Sequence, residues 1–280
     1  MRSGTLFIYL QKMLPTRALG WLSYKLSRSQ VRWLKNFLIG VFIRIYAVDL
    51  SEMDKSTPFA YACFNEFFTR SLKAGVRPVS SNPSAICCPA DGTVQQIGHI
   101  IDGRLIQAKK MSYRLVDLLN IDAAREFDGG AFLTIYLAPH NYHRVHAPVT
   151  GLVRRVHYIP GKRYAVNKAT AQALPGLFAL NERLACYCSG ESSAYWLVFV
   201  GAMNVSSIST AWSGEIAPAN SPRQWTYSRQ QSATLNRGDY FGHFNMGSTV
   251  IIVFPRNTVR WDPELLAGTH IRMGQEIGWL

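Results

Sequence analysis

The chain has 280 residues, 48% hydrophobic and 17% charged, a balance that fits a packed core and excludes a disordered chain. Its formal charge of +13 points to an anionic partner: membrane lipid, nucleic acid or an acidic substrate. Five cysteines, Cys63, Cys87, Cys88, Cys186 and Cys188, are an odd number with nothing that marks secretion, which argues against a disulfide framework.

The first 48 residues hold eight basic side chains, Arg2, Lys12, Arg17, Lys25, Arg28, Arg32, Lys35 and Arg44, and no acid before Asp49. Apolar and aromatic residues such as Leu6, Phe7, Trp21, Leu22, Trp33 and Phe37 are interleaved with them. This is the composition of helices that lie in a membrane interface. No segment reaches the roughly 18–20 apolar residues that a span needs, because Arg44 cuts the best candidate, Phe37–Val48. Gln11 and Lys12 interrupt the first apolar run, so a signal peptide is not expected; an acid-poor organellar transit peptide is the competing reading. In 31–45 the apolar residues Val31, Leu34, Leu38, Val41, Phe42 and Ile45 recur at three- and four-residue spacing, which predicts a helix. A second helical stretch is expected over 51–72, with Phe59, Cys63, Phe67 and Phe68 for one face.

From Cys87 the texture changes. Short β-rich runs alternate with Gly and Pro: GTVQQIGHI, GAFLTIYLAP, GLVRRVHYIPG, AYWLVFVGAMNVSSIST and GSTVIIVFP. Strands at this spacing predict a sheet-rich domain of largely antiparallel pairs. The expected fold is α+β: a β-rich domain over 73–280 preceded by a helical, membrane-surface region over 1–72.

Three places bear side chains suited to chemistry. In CPADGTV (88–94), Asp91-Gly92 marks a turn entering a strand. In YLAPHNYHRVHAPVTG (136–151), His140, His143, Arg144 and His146 crowd into seven residues. A His-x-x-His pair can bind metal where a helix puts both on one face, but Pro139 and Pro148 speak against a helix, and no metal is expected. The Cys87-Cys88 and Cys186-x-Cys188 pairs lack the two-residue gap usual at zinc sites. In FNMGSTVIIVF (244–254), Gly247-Ser248-Thr249 stands before a buried run, Val250–Phe254. Serine needs a base to become a nucleophile, and the base a third group to orient it; Asp91, His146 and Ser248 are one way to compose that set. No G-x-S-x-G elbow occurs.

Taken together and in this order, NEFFTRSLKAGVRPV, CPADGTV, YLAPHNYHRVHAPVTG and MGSTVIIVF resemble the signature segments of the phosphatidylserine decarboxylase family. The N-terminus, MLPTRALGWLS to FIRIYAVDLSEM, resembles its bacterial membrane-associated form. The resemblance implies a self-processing proenzyme. Ser248 would attack the carbonyl of Gly247, and elimination with hydrolysis would leave a large chain, 1–247, and a small one, 248–280. The small chain would begin with a pyruvoyl group made from Ser248. The family's Asp/His/Ser triad falls on Asp91, His146 and Ser248, with Asp91 expected to fix the His146 tautomer; its decarboxylation histidine falls on His143. Phosphatidylserine would be converted to phosphatidylethanolamine and carbon dioxide by a peripheral protein on the cytoplasmic face of the bacterial membrane, with the two chains associated and a homodimer suggested.

Two departures stand out. Met246 replaces the family's usual Leu, a similar-volume swap. Asn141 stands where Asp is common and removes a charge near the histidines, which is expected to bear on their pKa values. Two rivals remain: a pyruvoyl-dependent decarboxylase of a soluble amino acid, against which the basic N-terminus speaks, and an uncleaved basic membrane-binding protein. No nucleic-acid motif is present.

Overall fold

A computed structural model describes residues 16–108, 111–121, 124–190, 193–202, 207–245 and 248–280. Two helices open it, α1 (Thr16–Ser27) and α2 (Arg32–Tyr46). α2 matches the periodicity of its apolar residues. One of its faces, with Ile39 buried and Leu38, Phe42 and Ile43 against it, packs on Val48, Met53, Tyr61, Phe64, Phe67 and Phe68. The helix ends where Ala47 turns into the left-handed region, φ 49°, and returns its N–H to the Ile43 carbonyl.

The stretch 51–72 departs from the expected helix. It holds a single 3-10 turn, Pro58–Ala60, and one short helix, α3 (Phe64–Phe68). Its ends meet in a bridge between Met53 and Leu72. Pro58 cannot donate to a helix ladder, and Thr57 caps the turn with its side chain. The three phenylalanines of α3 are all buried, so tertiary packing sets this segment rather than helical period.

The strands that position the site are β1 (Gly92–His99), β2 (Gly130–Leu137), β3 (Arg144–His146), β4 (Gly151–Ile159), β5 (Arg183–Ser189), β6 (Ala194–Gly201), β7 (Ser207–Thr210), β8 (Gly214–Ile216), β9 (Tyr240–Asn245) and β10 (Ser248–Arg256). A nine-stranded sheet runs β4-β5-β6-β10-β2-β1, extended at its edges by Arg223–Thr226 and His270–Ile271, with Thr234–Leu235 also on β4. A four-stranded sheet runs β8-β7-β9-β3. Pairing within both is antiparallel. The fold is therefore α+β, as its alternating short strands indicated. β10 and β6 lie in the middle of the large sheet and carry unbroken apolar runs, Val250 to Phe254 and Tyr195 to Val200, all fully buried, as strands covered on both faces require.

The two sheets meet at a corner. Ser248 pairs with Leu137 on one side and Gly201 on the other. At that level β2, β6 and β10 all end or begin, and the chain crosses to or from β3, β7 and β9 of the small sheet. The order β6-β10-β2 in one sheet continues as β7-β9-β3 in the other. Three neighbouring strands thus end or begin at a single level, which brings residues far apart in sequence to one edge.

Candidate active site

The corner collects the expected residues by register. Thr93 of β1 pairs with Tyr136 of β2, which puts Asp91 beside the end of β2. Gly92 makes this approach possible: a Cβ there would stand 2.5 Å from the Tyr136 carbonyl oxygen. His146 is tied to the same segment by its N–H, which donates to Pro89 O at 2.8 Å. β9 pairs Arg144 with His243, so Asn245, two residues on, runs back toward Tyr142. Gly247 and Met246 lie outside the described residues, and of Ser248 only the strand placement is described.

Asp91 is buried, and its partners are not those expected. Arg77 donates from Nε to Oδ1 at 3.0 Å and from Nη2 to Oδ2 at 2.6 Å. The Met273 N–H donates to Oδ1 at 2.8 Å. The same guanidinium grips Glu52 at 3.0 and 2.7 Å. One arginine thus joins two carboxylates, one from the N-terminal region and one at the corner. The Asp91 and Glu52 bonds raise the Arg77 pKa, and the Arg77 bond lowers that of Glu52. Arg77 lies within NEFFTRSLKAGVRPV, but its place fourteen residues before Asp91 gives no local signal of the ion pair.

The tautomer of His146 is set elsewhere. Its Nδ1 lies 2.8 Å from the Gly238 carbonyl. A carbonyl only accepts, so Nδ1 carries the hydrogen and Nε2 the lone pair. Nε2 lies 3.0 Å from the Tyr142 hydroxyl, which therefore donates. Burial pushes that phenol up to about 12, so it keeps its proton. Burial, reinforced by the charge of Arg144, pushes His146 below the usual histidine range, against the Gly238 bond and the Asp91 charge. The His146 ring is thus oriented by a backbone carbonyl, with Asp91 acting through its field.

His143 is fully buried. Its Nδ1 donates to Asn141 O at 2.8 Å, and its ring lies against Phe68 with centroids 4.0 Å apart. Nε2 is a buried lone pair with no partner among the described residues. Burial pushes the ring down to about 3, so it is neutral at pH 7. Asn141 closes the turn that presents it: Oδ1 accepts from the Ala138 N–H at 2.8 Å. A carboxylate oxygen does the same work, so this position is one where Asn and Asp are interchangeable in the turn. His140 is exposed. Cys87, Cys88, Cys186 and Cys188 are buried free thiols and Cys63 is partly covered. Among the described residues no cluster of three His, Cys, Asp or Glu is placed to hold a metal.

The corner thus holds a buried carboxylate and two imidazoles, on segments that run past the level at which Ser248 begins β10. Residues 64–279 match the family model described as phosphatidylserine decarboxylase, and residues 6–47 match a second model described as PSD. The chain belongs to the phosphatidylserine decarboxylase family, a family of carboxy-lyases. Three relatives carry the name phosphatidylserine decarboxylase proenzyme. That of Methylococcus capsulatus is 45% identical over 277 residues, covering 98% of this chain and 96% of its own. The Nitrosococcus oceani protein is 41% identical over 284 residues, covering 100% and 92%. The Azotobacter vinelandii protein is 44% identical over 280 residues, covering 98% and 97%.

Proposed function

We propose that the chain is a proenzyme that cuts itself between Gly247 and Ser248 and then decarboxylates phosphatidylserine to phosphatidylethanolamine at a membrane surface. What supports this is the corner: the segments that carry Asp91, His143 and His146 run past the level at which Ser248 begins its strand, where three adjacent strands end or begin.

In the first reaction the Ser248 hydroxyl gives its proton to a base and bonds to the Gly247 carbonyl carbon. The amide C–N bond breaks and an ester forms. Elimination removes the Ser248 α-proton and breaks the Cβ–O bond, leaving Gly247 as a free carboxylate. Water then replaces the nitrogen of residue 248, which departs as ammonia. His146 suits the base, since Gly238 holds its hydrogen on Nδ1 and leaves the lone pair on Nε2. Tyr142 donates to that lone pair and must turn aside or pass a proton through. Asp91, held as an ion pair by Arg77, favours the imidazolium that forms. Neighbours locked in place supply the effective molarity of an intramolecular attack.

The pyruvoyl group supplies a ketone that takes up the substrate amine and an electron sink for the departing carbon dioxide. The corner suits such a group: the His143 Nε2 lone pair is buried and has no partner among the described residues. His143, neutral and held by Asn141 and Phe68, accepts a hydrogen bond or a proton from the substrate during the second reaction.

The N-terminal helices suit a lipid substrate. On α2, Trp33, Phe37, Val41 and Ile45 recur every four residues and are all exposed, Trp33 by 72%. Trp21, Leu22 and Leu26 of α1 are exposed too, and Lys25, Arg28, Arg32 and Arg44 are interspersed. An apolar stripe turned outward among basic residues is the pattern of a helix lying in a bilayer interface. No described helix is long and apolar enough to cross a membrane. On this reading the protein is peripheral, on the cytoplasmic face, with the 1–247 and 248–280 chains kept together by the pairing of β10 with β2 and β6; a homodimer is part of the proposal.

Denaturing mass spectrometry of the membrane-extracted protein tests it. The expected result is a fragment 248–280 lighter by one ammonia than a chain beginning with serine. A well-folded preparation intact over 1–280 would overturn the self-processing reading and leave a membrane-binding relative.

A further inference from the structure

Arg70 is 4% exposed and poorly satisfied. Its guanidinium lies over the Phe67 ring, 5.2 Å from the centroid. Its single hydrogen bond among the described residues is a long one, Nη1 to Phe67 O at 3.5 Å. Nε is buried with no partner, and no described carboxylate stands within ion-pair distance. Four other buried or half-buried arginines are better partnered. Arg77 holds two carboxylates, Arg163 holds Glu182, and Arg183 and Arg237 donate to three and four backbone carbonyls. An uncompensated buried guanidinium costs stability, so its retention calls for a ligand that completes it.

The position says which ligand. Residues 68–70 lie along the histidine segment: Phe68 stacks on His143 and Thr69 O accepts from Arg144 Nε at 2.8 Å. The charge of Arg70 is felt at His143, and that of Asp91 at Arg70. The donor Arg70 Nε and the acceptor His143 Nε2, both buried without a partner among the described residues, are thus linked through the neighbouring rings of Phe67 and Phe68. We propose that Arg70 binds the phosphodiester of the phosphoserine headgroup, completing its hydrogen bonds only when substrate is present. The headgroup has two oxyanions. Pairing the carboxylate would stabilise the charge that must be lost as carbon dioxide leaves, whereas the phosphodiester keeps its charge from substrate to product. An interaction equal in ground and transition states lowers KM without raising kcat.

This rests on the decarboxylase reading, and the experiment keeps the two apart. Carbon dioxide release from phosphatidylserine in detergent micelles is measured for the wild-type protein and for Arg70→Gln and Arg70→Lys, with cleavage at Gly247 followed on gels. If the wild-type protein releases none, the decarboxylase reading falls. If it is active, Arg70→Gln is expected to process itself and to raise KM about 10- to 100-fold, with kcat within about threefold and Arg70→Lys in between. Glycerophosphoethanolamine, which has the phosphodiester and lacks the carboxylate, should lose inhibitory affinity by the same factor in Arg70→Gln. A raised KM with unchanged inhibition would assign the guanidinium to the carboxylate and overturn the proposal, as would an unchanged KM. Stability gives an independent reading in the uncleavable Ser248→Ala background. Arg70→Met should melt no lower than its parent, and glycerophosphoethanolamine should raise the melting temperature of the parent alone. A clear drop on Arg70→Met, with no stabilisation of the parent by glycerophosphoethanolamine, would make Arg70 a structural residue.

Discussion

Acidification should destabilise this protein through His143 by an amount that can be worked out. The side chain is fully buried and its pKa falls to about 3, against about 6.5 in an unfolded chain. A depressed folded pKa gives stability that is complete above about pH 6.5 and is lost as the pH falls toward 3, because the unfolded state binds the proton and the folded state refuses it. At pH 5 the unfolded histidine has passed its midpoint by about 1.5 units, each equal to about 1.4 kcal/mol, so the loss is about 2 kcal/mol. At pH 7.5 it is close to zero. Other groups titrate over the same range, and comparison with His143→Asn removes them. Asn keeps a donor for the Asn141 carbonyl and has nothing to protonate. Urea unfolding is measured at pH 7.5 and 5 in the uncleavable Ser248→Ala background, so that both segments stay joined. The parent should lose about 2 kcal/mol more than His143→Asn between the two pH values. Equal losses would show that His143 takes up its proton in the folded state, and the argument from burial would fail.

Arg77→Met strands Asp91 and should cost about 3–5 kcal/mol of stability and slow self-cleavage. Glu52→Gln, at the more exposed end of the same guanidinium (22% against 9% for Asp91), should cost about 1 kcal/mol or less; the reverse order in urea unfolding would refute the assignment. Gly92→Ala drives a Cβ against the Tyr136 carbonyl and should destabilise by about 1–3 kcal/mol, with incomplete cleavage on gels; a fully stable, fully cleaved variant would show that β1 yields without cost. Replacing Trp33 and Phe37 together by Ala should leave the melting temperature unchanged, since both are exposed. It should weaken sedimentation with anionic vesicles at least about tenfold, and undiminished binding would place the membrane contact elsewhere.

Much was legible without the fold. The period of α2, the continuous apolar runs of β6 and β10, and the turn at Asp91-Gly92 are local patterns, and local patterns report burial and backbone geometry. The motif segments told which side chains to watch. The helix expected over 51–72 was misread because three phenylalanines spaced for a helix face are equally served by one short turn packed on α2. The partners were not legible at all. Gly238 holds His146 across 92 residues, Met273 reaches Asp91 across 182, and Arg77 answers two carboxylates on opposite sides of it in sequence. Composition placed a base, an acid and a serine in one chain. Only the antiparallel register, which ends three neighbouring strands at one level, decides that their segments run to one corner, which nitrogen of His146 carries the proton, and that Arg70 is buried without a counter-ion among the described residues. Hydrogen-bond partners are chosen by where strands pair, and pairing is a property of the whole sheet rather than of any segment in it.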